Sequence, residues 1–439
     1  MRGPVLPANA TRLWGAFALA LVLLMTGFLV GPRAPADEQD RACVANLVTS
    51  SPFGLSLGCD AFHNLHIGRQ PQRLLDVGSF RQSRPLLAIP ASILRPLFLW
   101  AQDAPRWFGI RPAPDINPGL AKFVPSILEN DFPTWLAYIL VNVLELAAAF
   151  AVYLRLVMGS ATGKGWSAPS AALVAIGAVG MLIVANDVVK AFVFNAHVQM
   201  FNVLAPLFGL LVLAQSAGSA QRAAIVGFGA GVGILAYPLM VIVAVCYGLR
   251  TLYELYLDRD VRAFLIRASV VVICTAIPVL GWYGFVMWRV GSFYSDSLAY
   301  KQLVWVADSF RTGTLIVDLG YFFGALIYQA SLQAIALVAM FALAFWVLRR
   351  TTARLSREDR ELIGAALVTS IAVLIFHALA GFFMARVAYG ILPPLVVICG
   401  LLTRVAFERT EARGQWAAAF VFVLGAQMIF TVVKAGPYG

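Results

Sequence analysis

The stretch LWGAFALALVLLMTGFLV at residues 13–30, running into GPRAPADEQD at residues 31–40, decides how the rest of the chain is read. Its apolar part carries no charge, and about 20 apolar residues suffice for a helix to cross the hydrocarbon of a bilayer. Lipid offers no water to the peptide groups, so only a helix or a closed barrel satisfies them there. The period-two alternation of a barrel strand is absent. A helix therefore spans 13–31 and stops at Gly31-Pro32-Arg33. No persuasive small-residue cleavage site follows, and Pro32-Arg33 comes directly after it, so it is read as a retained helix and not as a signal peptide.

The whole chain extends that reading. It has 439 residues, 60% hydrophobic and 13% charged, with a mean hydropathy of +0.81. A soluble domain carries about 25% charged residues, so this composition cannot cover a water-facing surface. The expected fold is an all-α polytopic membrane protein of about eleven spans, at 13–31, 132–155, 169–186, 199–216, 222–236, 237–254, 262–285, 332–348, 362–380, 387–402 and 416–433. It forms a single membrane domain over 1–439, with a long first loop at 32–131.

The net charge of +11 does not form a nucleic-acid stripe. Arg349, Arg350, Arg354, Arg357 and Arg360 share one short loop; Arg404, Arg409 and Arg413 share another; Arg250, Arg259 and Arg262 share a third. These sets, with Arg2 and Arg12, fall on one side of the membrane, and the bias of Lys and Arg toward cytoplasmic loops makes that side the inside. The N-terminus is then cytoplasmic, and the loop 32–131, the segment Asn186–His197, the segment Val290–Thr314 and the turn 381–386 are extracytoplasmic. Inner loops are too short for a nucleotide-binding domain, and no phosphate-cradling glycine loop is present, which excludes a pump driven by its own ATPase.

Within the long loop, Leu86–Ala101 is apolar but interrupted by Pro90, Arg95 and Pro96, which suits a helix lying in the interface. Asp103–Pro118 reads as irregular loop. Cys43 and Cys59 flank the polar part of the loop and suit a disulfide if it faces an oxidising compartment. Cys246, Cys274 and Cys399 lie in apolar spans as core fillers.

Three groups of residues can carry chemistry, with smaller features beside them. Asp37-Glu38, with Asp40, stands just past the first span, where a partly desolvated carboxylate can act as general base toward a hydroxyl. Solvation of a span's end accounts for the same residues. Phe80-Arg81-Gln82-Ser83-Arg84-Pro85-Leu86 leads into the interfacial helix, and Arg81 and Arg84 suit a lipid phosphate or simple interfacial anchoring. Asn186-Asp187-Val188-Val189-Lys190 with Asn195, His197, Gln199 and Asn202 is the densest polar cluster outside the long loop; Lys190 and His197 suit phosphate, and the amides suit sugar hydroxyls. Arg386 is a lone cation between two spans. Asn142 and Glu145 sit inside the second span, where an ionisable group invites a functional reading as much as a buried structural bond. Asp60-Ala61-Phe62-His63-Asn64-Leu65-His66 has poor ligand spacing, because residues six apart leave a shared helix face. No metal ligand set is assigned, although a divalent metal bridging carboxylate and phosphate remains compatible.

A first span, an Asp-Glu pair at its outer end and a long outer loop with interfacial helices together resemble the GT-C glycosyltransferases that use polyprenyl-phosphate sugars, such as protein O-mannosyltransferases and lipid A aminoarabinose transferases. Asp37-Glu38 matches their acidic pair in place and type, and Ser83-Arg84-Pro85-Leu86 resembles an Arg-Pro-Leu element of bacterial members. The likeness is topological over most of the chain and motif-level only within about 13–100. Arg41-Ala42-Cys43 stands where aromatics often follow the pair, and no soluble C-terminal domain is present, which leaves Asp60 and Asp76 as competing bases. The resemblance implies a GT-C-like bundle in the inner membrane of a bacterial cell envelope, with its active site on the outer face. It implies inverting transfer of a sugar from a polyprenyl-phosphate donor to a lipid, glycan or protein acceptor, with Asp37 as base and Glu38 orienting. Arg84, Lys190, His197 and Arg386 would then serve the donor phosphate. Two rivals stand beside it: a transporter or flippase of a lipid-linked or small polar substrate, and a polysaccharide polymerase or ligase that relies on outer-loop arginines.

Overall fold

The computed structural model describes residues 8–30, 44–48, 54–79, 81–112, 124–162, 170–295, 298, 302–351, 353–381, 384–408, 410 and 413–433. Asp37, Glu38, Asp40 and Cys43 lie outside the described residues. The first helix, α1, covers Ala8–Val30. The long loop then folds into two short strands, β1 (Val44–Val48) and β2 (Gly54–Gly58), the helix α2 (Cys59–Arg69), the helix α3 (Pro85–Leu94) and a last short strand, β3 (Arg111–Pro112). The strands pair antiparallel in the order β2-β1-β3, with Val44 opposite Gly58 and Leu47 opposite Pro112. This small sheet adds β structure to an otherwise helical chain, and alternating Leu47 and Leu57 bury its inner face.

The remaining helices form the bundle: α4 (Phe132–Thr162), α5 (Ser170–Gly180), the short α6 (Asp187–Phe192), α7 (Phe201–Leu213), α8 (Ala220–Ile234), α9 (Val241–Asp258), α10 (Val261–Val290), α11 (Val304–Thr312), α12 (Leu315–Gln333), α13 (Ile335–Arg349), α14 (Arg357–Ala380), α15 (Leu392–Glu408) and α16 (Arg413–Val433). Eight helices among the described residues are long and apolar enough to cross a membrane, and four shorter apolar helices accompany them. The chain is a multi-pass helical membrane protein. Its outward faces agree: Ile316, Phe422 and Trp288 are more than 75% exposed in the bare protein, and such apolar belts are covered by lipid.

Two segments depart from the sequence expectation: Leu315–Gln333, and Asp103–Pro118, expected as irregular loop, whose described part holds a helical turn over Ala104–Trp107 and the strand β3. Leu315–Gln333 is an apolar helix where the expectation placed mostly loop. Its Asp318 lowers local hydropathy, yet that carboxylate accepts hydrogen bonds from the hydroxyls of Ser309 at 2.6 Å and Thr314 at 2.7 Å. The acidic residue thus serves the helix start and does not break the helix. A single residue, Ala334 (φ −91, ψ −1), separates α12 from α13, so the backbone bends there without reversing. At Tyr237-Pro238 the expected break is present: α8 ends at Ile234, and a tight turn over Pro238–Met240 leads into α9. The stretch Leu86–Ala101 is helical, as expected, forming most of α3 and a 3-10 turn over Arg95–Ala101.

Close helix contacts depend on small residues. A Cβ on Gly227 of α8 would lie 2.5 Å from the Val271 carbonyl oxygen of α10, and one on Gly231 would strike the Thr275 carbonyl. Four residues apart, these glycines let the two backbones touch, as membrane helices commonly require. At one end of the bundle, Arg404 pairs with Asp359 and donates to the Val157 carbonyl at 2.6 Å, so α4, α14 and α15 share that end. Glu254 sits there too, 3.1 Å from Arg250 and 2.5 Å from Arg267. The expected grouping of the basic loops on one side is thereby met. The folded long loop covers the opposite end.

Candidate functional site

The site starts from the start of α2. Gly58 ends β2, and its N–H donates to Asn195 Oδ1 at 3.1 Å, which pins the strand end to the segment before α7. Two residues later the Asp60 carboxylate lies on the first turn of α2, where a helix N-terminus favours negative charge. One oxygen lies 3.1 Å from Arg81 Nη2, and the other accepts from His197 Nε2 at 2.9 Å. A third of the Asp60 side chain is exposed, whereas Arg81 and His197 are nearly buried.

Arg81 is positioned from several directions. Its backbone adopts φ +81, a left-handed conformation that costs a residue with a Cβ about 1–2 kcal/mol. The neighbouring Gln82 is fully buried and holds the strain in place. Its amide donates to the Asp76 carbonyl at 2.8 Å and accepts the Tyr294 N–H at 2.7 Å, and its own carbonyl accepts the Trp282 indole at 2.6 Å. Arg81 Nε donates to Asn64 Oδ1 at 3.0 Å. Asn64 in turn donates to the Ala196 carbonyl at 2.5 Å, and its carbonyl accepts the Tyr138 hydroxyl at 3.0 Å. Asn64, Gln82, Tyr138 and Trp282 were absent from the sequence candidates. Asn64 and Gln82 stood inside quoted motifs, but nothing in their spacing marks them as supports.

Burial alone would raise the proton affinity of Asp60. The His197 hydrogen bond and the charges of Arg81, His197 and Arg386 outweigh it and hold the carboxyl well below the ordinary carboxylate range. Burial pushes the His197 imidazole below its ordinary value despite the Asp60 carboxylate, with Arg81 and Arg386 adding to the shift. His197 is therefore a neutral ring that donates from Nε2 to a carboxylate able only to accept. Its Nδ1 is buried with no hydrogen-bond partner among the described residues. Phe192 packs on the imidazole at 4.8 Å between ring centroids, and Arg386 stands over the same Phe192 ring at 5.8 Å.

The other sequence candidates take different places. Arg84 stands over the Tyr237 ring at 6.0 Å. The Tyr237 hydroxyl donates to Asn202 Oδ1 at 3.1 Å, and Asn202 donates to Gln199, so Arg84 and Gln199 belong to one polar chain beside the Asp60 cluster. Lys190 does not join Asp60: its ammonium donates to the Val432 carbonyl at 3.0 Å, in the last turn of α16. Asn186 caps α6, accepting the Val189 N–H at 3.0 Å and donating to the carbonyls of Ile183 at 2.8 Å and Leu182 at 3.3 Å. Asn142 donates to the carbonyls of Phe192, Val193 and Asn195 at 2.9–3.1 Å, a structural role. Glu145 Oε2 is buried without a hydrogen-bond partner among the described residues. Among the described residues, no group of three or more His, Cys, Asp or Glu side chains is placed to hold a metal ion. The structure thus joins Asp60, Arg81, His197 and Arg386, which lie in four separate stretches of the sequence. No family model matches the chain, and neither the curated proteins nor the solved structures hold a match to it.

Proposed function

We propose that the protein is a membrane glycosyltransferase that moves a sugar from a polyprenyl-phosphate donor to a hydroxyl of an acceptor, with Asp60 as general base. One observation supports it above the others: a partly exposed carboxylate, fixed by Arg81 and His197 and facing the charge of Arg386, at one end of an apolar helix bundle. A nucleophile activated there lies beside the membrane, where a lipid-carried donor arrives laterally. The acceptor hydroxyl gives its proton to Asp60, its oxygen bonds the anomeric carbon, and the bond from that carbon to the phosphate oxygen breaks toward the polyprenyl phosphate. Arg386 and Arg81 offset the charge that develops on the leaving phosphate. The low proton affinity of Asp60 suits the resting site. A donor phosphate beside Arg386 and Arg81 draws on the same positive charge, and so raises the affinity of Asp60 for the acceptor's proton. His197 orients the carboxylate. On this reading Asp60 takes the role that the resemblance assigned to Asp37, and the first-loop end of the bundle faces away from the cytosol.

The test is transfer from a polyprenyl-phosphate sugar by purified Asp60→Asn and Asp37→Asn proteins. Loss of a general base lowers the rate by about 10²–10⁴-fold. That loss is expected in Asp60→Asn, with Asp37→Asn retaining at least a tenth of the wild-type rate. An active Asp60→Asn protein would falsify the assignment, and inactivity at Asp37 alone would return the base to the acidic pair.

A further inference from the structure

At the end of the bundle opposite Asp60, a cavity of about 820 Å³ opens between α4, α7, α9 and α14. Its volume falls within the roughly 300–1,000 Å³ of small-molecule sites. The walls are level with one another because Arg404 reaches both the Val157 carbonyl of α4 and the Asp359 carboxylate of α14. Arg155 and Glu358, close in sequence to those two anchors, therefore face the same mouth. The helix α14 runs inward from there, and Val368, ten residues on from Glu358, lies about 15 Å deeper at 1.5 Å per residue. Leu211, Leu249 and Ala365 line that depth. Leu252 and Val368 are 51% and 42% exposed, so the cavity opens sideways onto the lipid-facing surface.

The charges at the mouth are unequal in their partners. Arg250 is 3.1 Å from Glu254, and Glu361 is 2.8 Å from Arg357. Arg155 and Glu358 have no ion-pair or hydrogen-bond partner among the described residues. One unpaired cation and one unpaired anion thus flank an apolar cleft that opens to the membrane. Tyr253 and Tyr256 stand beside them, and tyrosine favours the level of the lipid headgroups.

We infer that this cavity is a structural site for a zwitterionic phospholipid, whose phosphate meets Arg155, whose ammonium meets Glu358 and whose acyl chain fills the cleft toward Val368. An anionic phospholipid such as phosphatidylglycerol offers Glu358 hydroxyls but no cation, and a polyprenyl phosphate supplies only the anion. The site is separate from the Asp60 cluster and owes nothing to the reading of that cluster as an active site.

The experiment uses the whole purified protein, delipidated in detergent, exposed to equal amounts of phosphatidylethanolamine and phosphatidylglycerol, and read by native mass spectrometry. Phosphatidylethanolamine is expected to bind at about one per chain and in preference to phosphatidylglycerol. Arg155→Gln and Glu358→Gln are each expected to weaken it about tenfold, the scale of one hydrogen bond to a charged group. Gly364→Phe, which fills the cleft from a position with nothing within 4 Å of an added Cβ, is expected to abolish it. Both glutamine substitutions are at exposed positions and leave the fold intact, as an unchanged elution volume will show. Equal binding of phosphatidylglycerol, or undiminished phosphatidylethanolamine in Glu358→Gln, would overturn the assignment.

Discussion

Arg81 reaches Asp60 from a left-handed backbone: its φ is +81, and its Nη2 lies 3.1 Å from Asp60 Oδ1. The residue that braces the carboxylate is therefore one whose own backbone resists the position. Strain of this kind persists only where surrounding contacts impose it, and here Gln82 supplies them through Asp76, Trp282 and Tyr294.

That conflict between backbone and side chain can be separated by substitution. Arg81→Gly relieves the left-handed strain and Arg81→Ala does not, while both remove the guanidinium. The glycine protein is expected to be more stable than the alanine protein by about 1 kcal/mol, read as the higher midpoint of thermal unfolding in detergent. Both are expected to lose sugar transfer to a similar extent. Equal stabilities would show that the backbone at residue 81 relaxes without the side chain.

The pH dependence of stability follows from His197. Its imidazole is held neutral in the folded protein, below its ordinary value of 6.5, mainly by burial. The unfolded chain takes up a proton below about 6.5 that the folded chain refuses, so stability falls as pH drops through that window. The lowered carboxyl of Asp60 contributes stability that is fully present above the ordinary carboxylate range, so it does not vary there. The midpoint of wild-type unfolding should therefore decline between pH 6.5 and 5, by at most about 1.4 kcal/mol per pH unit. His197→Gln retains a donor for Asp60 and does not titrate, and its profile should be flatter. An equally steep profile in that variant would place the titration elsewhere.

The contact of α8 with α10 gives a prediction that does not involve the site. Gly231→Leu drives a side chain into the Thr275 carbonyl region, where even a Cβ has no room. Overpacking of this kind costs about 1–3 kcal/mol or more, and the unfolding midpoint should fall accordingly. Gly229→Leu, on the same helix with nothing within 4 Å of an added Cβ, should leave it unchanged.

How much of this was legible in the sequence follows from the range of each interaction. Apolar runs such as Leu13–Val30 report their environment locally, and the helices there match the reading closely. Leu315–Gln333 escaped because Asp318, in the first turn of that helix and bonded to the Ser309 and Thr314 hydroxyls, lowers its hydropathy. The site was visible only as parts. Arg81 stood in a motif beside an interfacial helix, His197 in a polar cluster and Asp60 in a weak metal pattern, and the polarity of each stretch marked it as unusual. Their convergence depends on contacts across 137 and 21 residues, which no periodicity encodes. The supports were harder still, because a buried glutamine such as Gln82 looks in sequence like any other polar loop residue.

The bond from Lys190 to the Val432 carbonyl links positions 242 residues apart. Lys190 sits on the short helix that leads to Phe192 and His197, whereas Val432 lies in the last turn of the final span. Growing from its N-terminus, the chain inserts Asp60, Arg81 and His197 long before that carbonyl exists. The segment carrying His197 therefore gains this bond only after translation has passed residue 432. One contact of that segment is thus made only when the bundle is complete, so a stalled chain would present the parts of the site without the span that supplies it.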